Sequence, residues 1–322
     1  MSDASSCSIS ELEGSLDRSL SEVVTDVDFS FVVERAGDGR QYQYHRGAST
    51  LQTSYESAST SKWVAAAVIL RLVQNGTLSL SDRPQDHIAT WSVPMDDPLY
   101  NMTLAQLLSF TSGLESEPFC LNLPSFDFES CVVNNIVAEN VGNTVNAGER
   151  FHYASTHLQV AGLMAVKALN VSTWQDVFEA FKSEVGLFST ANFDLPSMTN
   201  PRLAGGMHWV GDEYLAFIRA LQNGDVLNDS VLSEMLSDQT PSLDNVWHYG
   251  FGLWHECDSE VYDCPAGDRV SSPGAYGAYP FWDRVHDYFG LVARQGALGT
   301  SENGRIIEMA VRDTVEEWVA CD

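Results

Sequence analysis

Strand-like segments stand at both ends of this chain, and the stretch between them reads as helix and loop. Near the N-terminus two runs rich in β-branched and aromatic residues, FSFVVER from Phe29 and YQYHRG from Tyr42, flank Ala36-Gly37-Asp38-Gly39. That turn composition predicts a hairpin. The C-terminal part returns to strand with GFGLWHE, AYGAYPFW and YFGLVARQ, and closes with a predicted helix over 305–320. Helical patterns fill the interval and its margins: 8–24, 61–75 with Gly76 placed as a left-handed cap, 104–109, 158–169, 173–185 and 212–223. Strands at both termini with helices between them predict an α+β fold. In it, one antiparallel sheet is built from both chain ends and flanked by helices, and a mainly helical lobe is inserted. We therefore expect a single domain, with 1–84 and 201–322 forming the α/β lobe and 85–200 the helical lobe.

The size suits one large core, and the hydrophobic share of 44% is ordinary for a globular chain. No run approaches the ~18–20 apolar residues that cross a bilayer. Charge is lopsided, with 17 Lys+Arg against 44 Asp+Glu and a net charge of −27, which disfavours nucleic acid and anionic membranes as partners. Six cysteines include two close pairs, Cys120/Cys131 and Cys257/Cys264, and one near each end, Cys7 and Cys321. Six cysteines admit many pairings; we expect 120–131, 257–264 and a 7–321 clasp in an oxidising compartment. Four N-x-S/T sequons, at Asn75, Asn101, Asn170 and Asn228, fit a secreted glycoprotein. The opening MSDASSCS has no apolar signal core, so secretion implies a signal segment outside this chain; the alternative is an intracellular protein with free thiols.

Several familiar chemistries lack an anchor. There is no GxSxG, HExxH, GxxxxGK or GxGxxG, and the eight histidines form no ligand-like pair, so neither a metal nor an organic cofactor is expected. What stands out is Ser59-Thr60-Ser61-Lys62 at the mouth of the apolar helix. Lysine occurs only at 62, 167 and 182, which gives this one unusual weight. Positions three apart share a helix face, so Ser59 Oγ and Lys62 Nζ can meet, and burial would lower the lysine pKa and let it accept a proton. Alone, the pattern recurs by chance and is more simply read as a helix-capping serine followed by a surface lysine.

Five further blocks change that balance. SASTSKWVAAAVILRLVQNGTLSLSD, MTLAQLLSFTSGL, GERFHYASTHLQVAGLMAVKALNVS, AGGMHWVGDEYLAFIRALQNG, and HYGFGLW with SPGAYGAYPFWD follow one another over roughly the whole chain. In content, order and spacing they resemble the penicillin-recognising serine hydrolases, the class C beta-lactamase-like family that includes family VIII carboxylesterases. The resemblance implies Ser59 as nucleophile, Lys62 as general base and Tyr153 as a proton-transfer partner for the leaving group. It also implies an oxyanion hole from the backbone N–H groups of Ser59 and Ala275.

Two positions depart from the family pattern. Tyr-x-Asn reads Tyr153-Ala154-Ser155, so a hydroxyl stands where an amide would contact the lysine and the substrate. The third motif, which normally opens with Lys, His or Trp, reads Ser272-Pro273-Gly274, leaving no cation for a substrate carboxylate. Trp63, Trp209, Trp247, Trp254, Trp282 and Tyr276 are candidates for an apolar acyl pocket, although core packing is the plainer role for most. The expectation is a secreted serine hydrolase acting on small ester or amide substrates, neutral esters first. The competing expectations are a beta-lactamase or D-amino-acid-specific peptidase, a transacylase, and an inactive binding homologue.

Overall fold

The computed structural model describes residues 7–243, 247–256 and 269–321. Its main sheet has seven antiparallel strands drawn from both ends of the chain. In spatial order they are Gln41–His45, Ser30–Arg35, Tyr288–Ala293, Tyr279–Asp283, Arg269–Ser271, Trp254–His255 and His248–Tyr249. The expected hairpin forms, with Gly37 and Gly39 at φ +90° and +71° in its turn. Ser30 pairs with Ala293 and Arg35 with Tyr288, so the first strand zips directly onto the last.

The central strands Ser30–Arg35, Tyr288–Ala293 and Tyr279–Asp283 are covered on both faces and are buried almost throughout, whereas the edge strand Gln41–His45 alternates and leaves Gln41, Gln43 and His45 exposed. Phe31 and Val33 point into a cluster with Leu16, Leu20, Phe281, Ile307 and Trp318, beneath helices Ile9–Glu22, Ser301–Met309 and Arg312–Ala320. Val32, between them, joins the larger core on the opposite face. That core is organised around helix Ser61–Gln74, buried along nearly its whole length, as a helix apolar all round must be. It packs against helices Thr156–Ala168, Trp174–Val185 and Asp229–Met235.

The α+β architecture expected from the sequence is therefore the one observed. Three local readings differ. The final helix is two, Ser301–Met309 and Arg312–Ala320, broken where Val311 leaves helical geometry and turns inward, 1% exposed. In GFGLWHE only Trp254–His255 is strand; the glycines make the turn, Gly252 with φ +79°. A strand unseen in sequence, Met207–Val210, pairs with Ser54–Glu56 and Asn192–Phe193 in a separate three-stranded sheet. Disulfides join Cys7 to Cys321 and Cys120 to Cys131, as expected. The expected Cys257–Cys264 pair lies outside the described residues.

Candidate active site

The small sheet delivers Ser59. From strand Ser54–Glu56 the chain is held by Ser57, whose N–H and Oγ both donate to the Met207 carbonyl at 3.2 and 3.0 Å. A single 3₁₀ turn, Ala58–Thr60, then leads into helix Ser61–Gln74. Ala58 sits at φ +48°, a left-handed conformation that an alanine adopts only under constraint. The constraint is visible: Ser61 Oγ–H and N–H both donate to the Ala58 carbonyl. Because C=O and N–H of a trans peptide point opposite ways, the Ser59 N–H is turned away from the helix.

The same logic applies at Ala275. Gly277 N–H donates to the Gly274 carbonyl at 2.8 Å, which aims the Ala275 N–H in the other direction. Neither the Ser59 nor the Ala275 N–H donates to a protein group among the described residues. Gly274 must be glycine, since a Cβ there would lie 2.2 Å from the Ser57 carbonyl oxygen. This close approach draws the third-motif turn onto the Ser59 segment. The strand feeding that turn is anchored from below. Arg269 pairs with Asp283 at 2.9 Å and Glu308 at 2.8 Å, all three buried.

Lys62 is 4% exposed, and its Nζ donates to Ser59 Oγ and to the Ala204 carbonyl, each at 2.8 Å. Burial pushes its ammonium group down to about 7; the Arg202 charge adds to this and Glu117 opposes it. A lysine in that range is a base at neutral pH. Its Nζ also lies 4.5 Å from the centre of the Tyr153 ring. Tyr153 is 38% exposed toward the cleft. Desolvation pushes its hydroxyl up to about 12, with hydrogen bonding from Ser59 and Trp254 pulling the other way. Water reaching the open face of the ring moderates that desolvation. Behind Tyr153, His157 Nε2–H donates to the His152 carbonyl, so Nδ1 must accept from Ser112 Oγ, both at 2.8 Å. Burial drives His157 down to about 3, so it stays neutral and braces the residue before Tyr153.

The two departing motif positions do something other than the sequence suggests. Ser155 does not reach the lysine. Its Oγ accepts from Arg202 Nε and Nη2 at 3.0 and 2.8 Å, and its N–H donates to Glu117. Arg202 also donates to Asn122 Oδ1 at 2.9 Å and lies 3.8 Å from Glu117. Desolvation raises the Glu117 pKa, but the Ser155 hydrogen bonds with the Arg202 and Lys62 charges outweigh it and hold the carboxyl below its ordinary range. Ser272 is 2% exposed and donates to the Ser59 carbonyl at 3.0 Å, bracing the Ser59 segment instead of facing the cleft. Glu117, Arg202 and the Ala204 carbonyl went unread in sequence. Only Ala204 carries a local signal, beside Gly205-Gly206; Glu117 and Arg202 are joined by folding alone.

Ser59 opens onto a cavity of about 320 Å³ lined by Tyr153, Trp247, Trp254, Pro273, Ala275, Ser301 and Glu302. Of the six aromatic candidates, Trp247 and Trp254 line it, Trp63, Trp209 and Trp282 are buried in the core, and Tyr276 is half-buried and outside the lining.

A sequence model of the family described as Beta-lactamase matches residues 30–306. The chain belongs to the beta-lactamase family. Among curated relatives, Protein flp of Staphylococcus aureus (strain COL) is 28% identical over 114 residues, 35% of this chain and 22% of that protein. The chain thus spans under a quarter of the curated relatives it first matches. Two solved structures share the fold. A putative beta-lactamase from Bacteroides dorei DSM 17855 has TM-score 0.73 and 23% identity, over 91% of this chain and 93% of that one. EstCE1, described as a hydrolase with promiscuous acyltransferase activity, has TM-score 0.75 and 17% identity, over 96% and 98%. The beta-lactamase family comprises serine hydrolases, among them esterases, carboxypeptidases and beta-lactamases.

Proposed function

We propose that this protein hydrolyses carboxylic esters through an acyl-enzyme on Ser59. The observation that carries the reading is the buried Lys62 Nζ, 2.8 Å from Ser59 Oγ and held near neutral pKa. Lys62 takes the Ser59 proton as Oγ bonds to the ester carbonyl carbon. The resulting oxyanion accepts from the Ser59 and Ala275 N–H groups. The C–O bond to the alcohol breaks as the proton passes, by way of Tyr153, to the leaving oxygen. Water then adds to the acyl carbon by the same route in reverse, releasing the acid and restoring Ser59. No metal or organic cofactor enters this scheme.

Esters are favoured over beta-lactams and D-alanyl peptides because, among the described residues, the cavity lining contains no lysine, arginine or histidine to meet a substrate carboxylate. Transfer of the acyl group to an alcohol is a natural extension, since the same intermediate serves both acceptors. The two disulfides and the exposure of Asn75, Asn101, Asn170 and Asn228 support an extracellular glycoprotein. No helix among the described residues is long and apolar enough to cross a membrane. The test is a comparison of p-nitrophenyl butyrate, nitrocefin and a D-alanyl dipeptide with native protein and Ser59→Ala. Ester turnover lost with Ser59 is expected. Turnover confined to nitrocefin or the peptide would replace the reading, and none with any substrate would favour a binding homologue.

A further inference from the structure

The walls of the cavity specify more than an ester. Tyr153 and Trp254 stack with ring centres 5.0 Å apart, and Trp247 stands at 73° to Trp254, with centres 6.4 Å apart. The three rings bound the same space as Ser59, and Glu302 stands at its edge. A corner of aromatic faces with a carboxylate beside it attracts an organic cation, through ring quadrupoles and direct charge. One of these rings already serves such a contact: the Arg305 guanidinium lies 4.9 Å from the centre of the Trp247 ring.

Local charge points the same way. Arg305 is met by Glu256, with Nε to Oε2 at 3.3 Å, so that pair adds little net charge to the wall. Glu302 forms no ion pair among the described residues. It sits in the first turn of helix Ser301–Met309, whose N-terminal half-charge offsets only part of a full carboxylate. The chain as a whole carries −27, a field that draws cations toward any cleft.

Resting on the ester reading above, we propose that the preferred substrates are esters whose alcohol carries a positive charge, the ammonium group seating against Trp254, Trp247 and Glu302. The alcohol side is indicated because this space adjoins Tyr153, the group placed to protonate the leaving oxygen. Reaction proceeds as already written: the ester bond breaks, water supplies the acid's new oxygen, and the cationic alcohol departs.

The experiment compares acetylcholine with its uncharged isostere 3,3-dimethylbutyl acetate and with the anionic 3-acetoxypropane-1-sulfonate, at matched pH and low salt. The expected order of kcat/KM is cationic above neutral above anionic, with about tenfold between the first two. Glu302→Gln should narrow the cationic-to-neutral ratio about fivefold, and added salt should narrow it too. In Ser59→Ala, choline should quench tryptophan fluorescence saturably, a readout independent of turnover. Turnover of the neutral ester with no cationic preference, or with an anionic one, overturns this inference and leaves the esterase reading standing. Failure to turn over any ester sinks the esterase reading, and absence of saturable choline binding sinks this one separately.

Discussion

Burying an ammonium group costs free energy that the rest of the fold must offset, and at Lys62 this chain accepts that cost. The surrounding groups set how far the pKa falls: desolvation first, then Arg202, against Glu117, with His157 neutral behind Tyr153. The consequence for rate has a definite sign. Lys62 is protonated and unable to accept the Ser59 proton at low pH, so kcat/KM for an uncharged ester should rise through about pH 7 and then level. A profile flat from pH 5 to 9 would show that Lys62 is not the base. Lys62→Met should lower kcat about 10³-fold. Stability should move the other way. The unfolded chain binds this proton up to about pH 10.4, so below pH 7 the buried lysine only costs. Lys62→Met should therefore melt no lower than the native protein at pH 6, by calorimetry. Arg202→Leu removes a cation that depresses Lys62, so the rising limb of the pH profile should shift to more alkaline pH. An unshifted limb would confine Arg202 to holding Ser155.

At the scale of elements, legibility followed how local each element's cause is. Helix Ser61–Gln74 was readable because its residues are apolar all round and Gly76, at φ +72°, closes it. The hairpin was readable from its own turn. Strand Met207–Val210 was not, because its partner Ser54–Glu56 lies far back along the chain and four residues carry no clear alternation. The break at Val311 was not either, since its neighbours are ordinary helix formers and the bend answers to packing on the sheet. In the site, the Ser59–Lys62 contact was legible from their spacing of three on one helix face, whereas Tyr153 and Ala275 were reached by resemblance. The actual partners of Ser155 and Ser272 depend on tertiary contacts with Arg202 and the Ser59 carbonyl. One element-scale prediction follows from Gly274, whose backbone packs on the Ser57 carbonyl. Gly274→Ala should push the Ala275 N–H out of position and lower kcat about 10²-fold or more with a smaller change in KM. A kcat within twofold of native would exclude this turn from the oxyanion hole.

The whole molecule is closed by its ends: the first strand pairs with the last, helix Ile9–Glu22 packs on Arg312–Ala320, and Cys7 is bonded to Cys321. A disulfide enclosing nearly the entire chain restricts the unfolded ensemble, and loss of a native disulfide costs about 2–5 kcal/mol. Cys321→Ser should lower the melting temperature by about 3–7 °C, and dithiothreitol should then add only the effect of opening Cys120–Cys131 among the described disulfides. Melting that ignores both changes would mean that the clasp does not hold the ends together. The central claim, however, is covalent chemistry at one atom. Its most direct test is intact-mass analysis of protein quenched during turnover of p-nitrophenyl butyrate, followed by peptide mapping. The account predicts a butyryl adduct on Ser59, absent from Ser59→Ala and accumulating when Tyr153→Phe slows its release. Turnover without an adduct, or an adduct that persists in Ser59→Ala, would contradict it.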